Sequence, residues 1–445
     1  MIVLMKILQV VLALSALILI HELGHFTFAK LFKIRVDKFF LFFDLGGFRL
    51  LSTKQGWFSK IFPSLKNKET EYGIGWLPLG GYCKIAGMVD ESMDTEKLKE
   101  EPKPWEFRSL KAWKRLLVMA GGVLYNFIFA VLLFISLLNI WGSSYISNGE
   151  NQIYVNSLSY EMGFRSGDRI LMMDDYPPED FLSLQADLAR RDISKVTVER
   201  GADTVEILID KSMMPQVLSS PGMFDLAVPF VVDSIPPASP NYSCGYLKGD
   251  RIIALDSLRV DFVQDSRNIL AGRMNDALTA TIVRGADTLR LPFYTDSTAH
   301  ALIYAPIPGL SQKTYSLLES IPAGVKLTFS SISNYLRDLK MVASPSTGAY
   351  KSVGSFISIG QIFPSTWNWF QFIQILAMLS IMLGVMNLLP IPAFDGGHIV
   401  FVLYEIITGR KPSLKFMEIA QVVGLVLIMA LMLFACGNDI GRLLR

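Results

Sequence analysis

Long apolar runs lie at both ends of the chain, separated by a more polar middle. Four of them are long enough to cross a bilayer, because a membrane-spanning helix needs about 20 mostly apolar residues. The four predicted spans are residues 1–30, 116–141, 369–389 and 420–436. No small-residue cleavage site follows the first run, so it is predicted to be a span rather than a cleaved signal peptide.

The polar middle contains an internal repeat. The sequence SGDRIL at 166–171 recurs as KGDRII at 248–253, and VTVERGADTV at 196–205 recurs as ATIVRGADTL at 280–289. Two pieces that recur at nearly the same offset indicate a duplicated domain. Apolar and polar residues alternate in each copy between Gly, Asp and Asn, which predicts short strands and turns. The two predicted β domains occupy 145–222 and 226–300.

Two other segments have patterns of their own. Residues 311–345 place apolar side chains mostly at three- and four-residue steps, which predicts an amphipathic helix. This helix is expected either at the outer membrane surface or packed on the second β domain. Residues 72–87 are rich in Gly and Pro, too short for a span, and alternate as in a hairpin. They are predicted to form a re-entrant β-loop, with a surface hairpin as the alternative.

Composition supports a membrane protein. Hydrophobic residues make up 51% of the chain and charged residues only 18%, whereas soluble domains carry about 25% charged residues. The net charge of +2 is too small to indicate a nucleic-acid partner. The three cysteines, Cys83, Cys244 and Cys436, lie far apart and predict neither a disulfide framework nor a CxxC metal pair.

Basic residues predict the orientation in the membrane. They cluster in the segment 31–110 and its flanks, between the first two spans, and in the loop between the last two spans. The residues are Lys30, Lys33, Arg35, Lys38, Arg108, Lys111, Lys114, Arg115, Arg410, Lys411 and Lys415. Basic loops stay in the cytoplasm, so both termini and the segment 142–368 are predicted to be extracytoplasmic.

One motif at the end of the first span carries chemistry. His21-Glu22-Leu23-Gly24-His25 is an HExxH sequence, and helix positions i and i+4 share a face. Both imidazoles can therefore bind one Zn²⁺, while the glutamate can activate water as a general base. A charged residue at mid-membrane costs about 2.5–3.5 kcal/mol on insertion scales, so the motif predicts a functional site. The competing interpretation is a capped helix end at the membrane interface.

Asp395 is the candidate for the third protein ligand that a catalytic zinc site needs. It follows the third span within the stretch from Asn387 to His398, which contains two prolines and two glycines. The prolines end the helix and the glycines permit a sharp turn, so Asp395 can point back into the bundle. The predicted topology places it on the same side as His21 and His25. Without HExxH, a simple Asp-Gly turn would be preferred. His398 is expected either in the exposed loop, which is the favoured position, or next to the metal ligands.

These features resemble the site-2 protease family of intramembrane zinc metalloproteases, and within it the regulator-of-sigma-E protease branch. That branch has four spans and two PDZ domains, and the GDR turn and RGADT hairpin of each repeat resemble a PDZ domain. The matching positions are His21 to His25, Gly80 with Gly81, Gly121 with Asn126, Asn387 to Gly397, and 438–440. The implied fold is a polytopic α-helical membrane protein with a re-entrant β-loop and two extracytoplasmic PDZ-like domains.

The resemblance also implies roles for individual residues. His21, His25 and Asp395 would bind Zn²⁺, and Glu22 would be the catalytic base. Substrate contacts would come from Asn387, Pro390, Pro392, Gly80, Gly81 and Tyr82. The chain departs from the family at Phe394, where Leu is usual, and at Gly122, where Pro is frequent. Both departures are expected to affect packing rather than ligation.

The implied function is regulated intramembrane proteolysis in the bacterial cytoplasmic membrane. Single-span proteins such as anti-sigma factors would be cut after a first cleavage by a site-1 protease, and remnant signal peptides are a second substrate class. Two other functions are alternatives. A membrane-tethered PDZ scaffold would not require an intact HExxH motif, and a metal transporter would need more intramembrane ligands than three.

Overall fold

The computed structural model describes residues 2–61, 64, 69–78, 80–88, 101–220, 222–306 and 309–444. Parts of the predicted segments 31–110, 72–87 and 145–222 lie outside these residues, namely 62–63, 65–68, 79, 89–100 and 221. The chain forms two compact units. The first comprises Met1–Gly142, Thr314–Leu339 and Lys351–Arg445, and the second comprises Ser143–Lys313 and Lys340–Tyr350.

The elements are numbered along the chain. The helices are α1 Ile2–Leu31, α2 Gly56–Ile61, α3 Ala112–Trp141, α4 Ser157–Glu161, α5 Leu184–Arg190, α6 Met214–Ser219, α7 Val263–Leu270, α8 Leu317–Ala343, α9 Phe356–Ile362, α10 Trp369–Leu388, α11 Asp395–Thr408 and α12 Leu414–Leu443. The strands are β1 Val36–Leu41, β2 Arg49–Ser52, β3 Glu71–Gly75, β4 Tyr82–Ile85, β5 Ser143–Ile146, β6 Ile153–Val155, β7 Arg169–Met173, β8 Lys195–Arg200, β9 Asp203–Leu208, β10 Phe224–Leu226, β11 Arg251–Leu255, β12 Leu258–Arg259, β13 Ala277–Arg284, β14 Asp287–Tyr294 and β15 Leu310–Lys313.

Four helices of the first unit are long and apolar enough to cross a membrane: α1, α3, α10 and α12. The four predicted spans are therefore confirmed as membrane-helix candidates. The helix α12 is much longer than the predicted range 420–436, because hydropathy detects the apolar centre of a helix and not its polar turns. The helix α10 ends at Leu388, two residues before a proline that cannot continue it.

The helices α1 and α3 touch backbone to backbone. A Cβ atom added to Gly24 would lie 2.2 Å from the carbonyl oxygen of Gly121, and one added to Gly121 would lie 2.7 Å from that of Gly24. Neither position has room for a side chain. Small residues at a helix contact let two membrane helices approach closely, and this contact lies inside the HExxH segment of α1.

A four-stranded sheet lies between α1 and α3 in sequence, with strand order β2-β3-β1-β4. The strand β3 runs parallel to β1, whereas β4 runs antiparallel to it. The hairpin predicted for 72–87 is therefore wrong, because β1 lies between its two strands. Val36 and Phe40 of β1 are fully buried, so the strand that was not predicted forms the centre of the sheet.

The second unit contains two apolar cores, one for each copy of the repeat. The first copy has the sheet β7-β8-β9 and the pair β6-β10, and the second has the sheet β12-β11-β13-β14. In both copies the GDR turn precedes the first strand of an antiparallel series. The RGADT sequence forms the following tight hairpin, between β8 and β9 and between β13 and β14. The repeated sequences therefore mark equivalent structural positions.

The two repeated motifs are joined by an ion pair in each copy. Arg200 donates through Nε and Nη2 to the two oxygens of Asp168, each at 2.8 Å. Arg284 makes the same two contacts with Asp250 at 2.7 Å. Asp168 is 0% exposed and Asp250 is 1% exposed. A buried carboxylate needs such a bidentate partner, so the GDR and RGADT sequences have to recur together.

The helix α8 starts later than the predicted 311, because β15 pairs with β5 at that point. A Cβ added to Gly324 of α8 would lie 2.9 Å from the backbone nitrogen of Ile135 in α3. The helix thus packs on a membrane helix. Both locations considered for this helix, the outer membrane surface and the second β domain, stay predictions.

Candidate metal centre

His21 and His25 lie one turn apart on the last part of α1. Their rings meet edge to face with centroids 4.9 Å apart, and their Nε2 atoms are separated by 3.3 Å. The helix continues through the whole motif to Leu31, so the i, i+4 spacing brings both nitrogens to one side. Nδ1 of His25 lies 2.9 Å from the carbonyl oxygen of Val118, to which it can donate.

Asp395 reaches this pair from the opposite end of the sequence. Its Oδ2 atom lies 3.2 Å from Nε2 of His21 and 3.3 Å from Nε2 of His25. The residue after Asp395 must be glycine, because a Cβ at Gly396 would lie 2.2 Å from the carbonyl oxygen of Leu389 in the preceding turn. Asp395 is the first residue of α11, where the helix dipole favours a carboxylate.

The same helix corrects the expectation for His398. The residue lies in the first turn of α11 and is half-buried, with its ring edge-on to Phe401 at 6.3 Å. The prediction of an exposed loop position is wrong, because the Asp-Gly-Gly sequence starts a helix instead of extending the turn.

The three donor atoms fit a zinc ion. Atoms that each lie about 2.0–2.1 Å from one tetrahedral zinc are separated from one another by about 3.3 Å. The observed separations between His21, His25 and Asp395 are 3.2, 3.3 and 3.3 Å. Asp395 Oδ2 is buried and has no hydrogen-bond donor among the described residues. Two imidazoles and a buried carboxylate form a donor set that zinc prefers.

Glu22 lies between these histidines in sequence and is half-buried beside the edge strand β4. The backbone of Cys83 lies close to the Glu22 carboxylate. Burial, and then the Glu22 charge, raise the pKa of the Cys83 thiol well above its usual range. Cys83 therefore stays a neutral thiol that packs with the apolar cluster around Ala29, and it does not add a thiolate to the centre.

The asparagine and prolines proposed to contact substrate lie around the Asp395 turn. Nδ2 of Asn387, in the last turn of α10, is 3.5 Å from Nε2 of His21, which places it at the candidate metal centre. Pro390 and Pro392 lie in the turn between α10 and α11, the first exposed and the second half-buried. Their substrate role stays a prediction.

Gly80, Gly81 and Tyr82 lead into β4. A Cβ at Gly81 would lie 2.5 Å from a side-chain carbon of Ile18 in α1, so this backbone runs against the membrane helix. The Tyr82 hydroxyl donates to Asp44 at 2.7 Å. Burial and this carboxylate raise the pKa of Tyr82. The phenol thus already has a partner in the sheet, and its role toward a substrate stays a prediction.

The helix α3 contacts both histidines, and the sequence alone did not predict these contacts. Val118, Gly122 and Asn126 recur every four residues and so share one helix face. A Cβ at Gly122 would lie 2.5 Å from Nε2 of His25 and 2.6 Å from Cε1 of His21. Gly122 therefore adjoins both imidazoles directly, nearer to the proposed ligands than was expected. The four-residue spacing was the sequence feature that could have indicated this helix face.

Comparison with known proteins identifies the family. The sequence profile described as Peptidase family M50 matches residues 9–431. A protein of Rickettsia conorii is 25% identical over 450 residues, covering 99% of both chains. Proteins of Neisseria meningitidis and Borreliella burgdorferi are each 28% identical, covering 97% and 99% of this chain and 98% and 99% of their own lengths. All three carry the name "Putative zinc metalloprotease". The chain belongs to peptidase family M50, the site-2 protease family, and is a zinc metallopeptidase.

Proposed function

We propose that this zinc metallopeptidase cleaves single-span membrane proteins within the bilayer or at its edge. His21, His25 and Asp395 are the proposed zinc ligands, and Glu22 is the proposed base. The observation that carries the proposal is the convergence of these three donor atoms to within 3.3 Å at the ends of apolar helices. A centre whose two histidines lie on a membrane-helix candidate suits a substrate that is itself in the membrane.

The chemistry divides between the ion and the chain. A bound zinc ion supplies a Lewis acid that polarises a peptide carbonyl and acidifies water. Glu22 takes the proton of the attacking water and returns it to the departing nitrogen. The backbone of Cys83 lies close to the carboxylate, where its N–H would help to orient the base. Asn387 lies beside His21, where its amide can contact the peptide group that is cut.

The substrate must be extended where it is cut, because the carbonyl groups of a helix are already hydrogen-bonded. The strand β4 is at the edge of its sheet, and an edge strand can pair with an added strand. We assign this role to Gly80, Gly81 and Tyr82, which lead into that edge. Pro390 and Pro392 would line the other side of the extended segment.

The biological substrates are proposed from the family resemblance. They are anti-sigma-factor-like proteins already trimmed by a site-1 protease, with remnant signal peptides as a second class. The location is the bacterial cytoplasmic membrane, and the basic loops support extracytoplasmic termini and PDZ-like domains. The second unit contains none of the proposed zinc residues, which supports a role as a gate on substrate size.

Replacing the base tests the mechanism. Glu22→Gln removes a base but no ligand, so the purified variant should keep one zinc per chain and lose cleavage of a membrane substrate. His21→Ala and Asp395→Ala should lose zinc as well as cleavage. Elemental analysis gives the zinc content, and mass spectrometry identifies the membrane fragment that accumulates in cells. Full proteolysis by the Glu22→Gln enzyme would refute the proposed role of Glu22.

A further inference from the structure

Asn126 is a fully buried polar residue at the centre of the membrane helices. It lies on α3 and is 0% exposed. Its Nδ2 atom is 3.0 Å from Nδ1 of His21, the ring nitrogen that faces away from Asp395. The Ser380 hydroxyl of α10 donates to its backbone carbonyl at 2.8 Å. The backbone of Asn126 is thus bonded to a second helix, and its side-chain amide lies against the imidazole of His21.

The two ends of an amide have the same shape, so hydrogen-bonding partners decide which end faces His21. With the nitrogen toward the ring, Nδ1 of His21 has to accept and its proton moves to Nε2. Oδ1 of Asn126 is then buried without a donor among the described residues. Either orientation leaves one end of the amide without a partner. The protonation of the His21 ring therefore decides which orientation the amide adopts.

The imidazole of His21 requires the amide oxygen of Asn126 opposite its Nδ1 atom. Nε2 of His21 lies 3.2 Å from Oδ2 of Asp395 and 3.3 Å from Nε2 of His25, so a metal between them needs its lone pair. The neighbouring histidine shows the same arrangement, with Nδ1 of His25 against the Val118 carbonyl. A metal-binding histidine commonly donates its second N–H to a carbonyl group.

We propose that Asn126 is a positioning residue whose Oδ1 accepts the N–H of His21 Nδ1 and thereby presents Nε2 to the zinc site. This inference rests on the proposed ligand set. One face of α3 would then serve both ligands, because Val118 holds His25, Asn126 holds His21, and Gly122 leaves room for the rings between them. The helix α3 acts as a template although it supplies no ligand.

Substitutions that separate shape from hydrogen bonding test this role. Asn126→Leu keeps the approximate volume and removes the acceptor, so zinc affinity should fall about 10–100-fold, as is typical when such a partner is lost. Asn126→Asp keeps an acceptor and should bind zinc as tightly as the natural protein or more tightly. Ser380→Ala removes only the bond to the Asn126 backbone and is the matched control, with unchanged affinity expected.

The readouts are zinc affinity, by chelator competition on the full chain in detergent, and the visible spectrum of the Co²⁺-substituted protein. The Leu variant should change the spectrum, whereas the Asp and Ser380→Ala variants should preserve it. A folded Leu variant with natural affinity, or an Asp variant weaker than the natural protein, would overturn the inference. If the Leu variant does not fold, the zinc affinity of the Asp variant alone tests the inference.

The proposed ligand set can fail separately. His21→Ala is measured in the same competition assay. If it retains zinc at natural affinity, His21 is not a ligand and the proposed function is wrong in its chemistry. If it loses zinc while Asn126→Leu keeps natural affinity, the ligand set stands and only the positioning role is lost.

Discussion

A single carboxylate in each β copy ties two distant parts of that copy together. Asp250 accepts both bonds of Arg284 and one from the backbone N–H of Leu247. The hydrogen bonds of Arg284 hold the pKa of Asp250 below its usual range. Since the carboxylate is 1% exposed, its stability contribution depends on the charge of its partner and on the fork shape of the guanidinium.

Arg284→Lys should therefore loosen the second β copy. A lysine cannot make the two parallel bonds, and one oxygen of a buried carboxylate is left unpaired, at a cost of about 1–3 kcal/mol. Hydrogen exchange in β11 and β13 should accelerate accordingly, while the exposed Arg290→Lys in the same hairpin serves as control. The depressed pKa makes the contribution complete above about pH 4 and lost as the pH falls further. Equal exchange in both variants at neutral pH would contradict this account.

The sequence showed these residues but not their contact. Asp and Arg recur in both copies at similar but unequal spacings, with 32 residues from Asp168 to Arg200 and 34 from Asp250 to Arg284. Pairing depends on how a turn meets a hairpin, which local patterns do not specify. The HExxH spacing is different, because a helix fixes the relation of i and i+4 without any tertiary information.

At the scale of elements, the position of α11 decides where Asp395 lies. Arg115 of α3 donates to Glu405 of α11 at 2.5 Å, and the two side chains are only 10% and 13% exposed. Glu405 lies ten residues beyond Asp395 on one continuous helix. The contact of Glu405 with α3 fixes the rotation of α11 and its position along its own axis. The ion pair therefore helps to position the Asp395 carboxylate.

Breaking this pair should weaken the metal centre at a distance. Glu405→Ala leaves the mostly buried Arg115 without its partner. Breaking a buried pair costs about 3–5 kcal/mol. We expect the lower end of that range, because both side chains keep some exposure to solvent. The thermal unfolding midpoint and the bound zinc should both decrease. Arg410→Ala, at an exposed site just beyond α11, is the control. The double variant Arg115→Glu/Glu405→Arg should recover part of the loss, and no recovery would argue against a pairwise role.

Elements were predictable where the signal is local. Hydropathy located the four membrane-helix candidates, since twenty apolar residues need no tertiary context. The hairpin over 72–87 failed because strand pairing is non-local, and β1, encoded more than thirty residues upstream, separates β3 from β4. The helix α11 was missed because its apolar part is too short to be read as a span and follows a sequence typical of turns.

At the scale of the molecule, orientation is a prediction from the basic loops. A membrane-impermeant thiol reagent applied to intact cells should label a cysteine at Asp203 or Asp287, each at the exposed tip of a β hairpin. It should not label a cysteine introduced at Lys411. The three natural cysteines are removed first, and permeabilised cells show that all three new thiols are reactive. Labelling at Lys411 in intact cells would reverse the topology.

The size gate proposed for the second unit makes a separate prediction. Deleting about residues 151–298 should leave a trimmed substrate cleavable and should allow cleavage of the same substrate with its large extracytoplasmic domain. The reason is that the deletion removes bulk but none of the proposed zinc residues. Cleavage of long and trimmed substrates is compared for the full and shortened enzymes. Continued rejection of the long form by a folded deletion enzyme would favour a partner-docking role.

The distance in sequence between the proposed ligands has a consequence for synthesis. His21 and Asp395 are encoded near opposite ends of the chain and meet only when α11 packs on α3. At about 5–20 residues per second, the ribosome needs about 20–75 seconds to pass from one to the other. Throughout that interval the nascent chain already carries the proposed base and two imidazoles but lacks the third proposed ligand. With this ligand set, the newly made protease is expected to stay inactive toward the membrane proteins around it until most of its own membrane domain is in place.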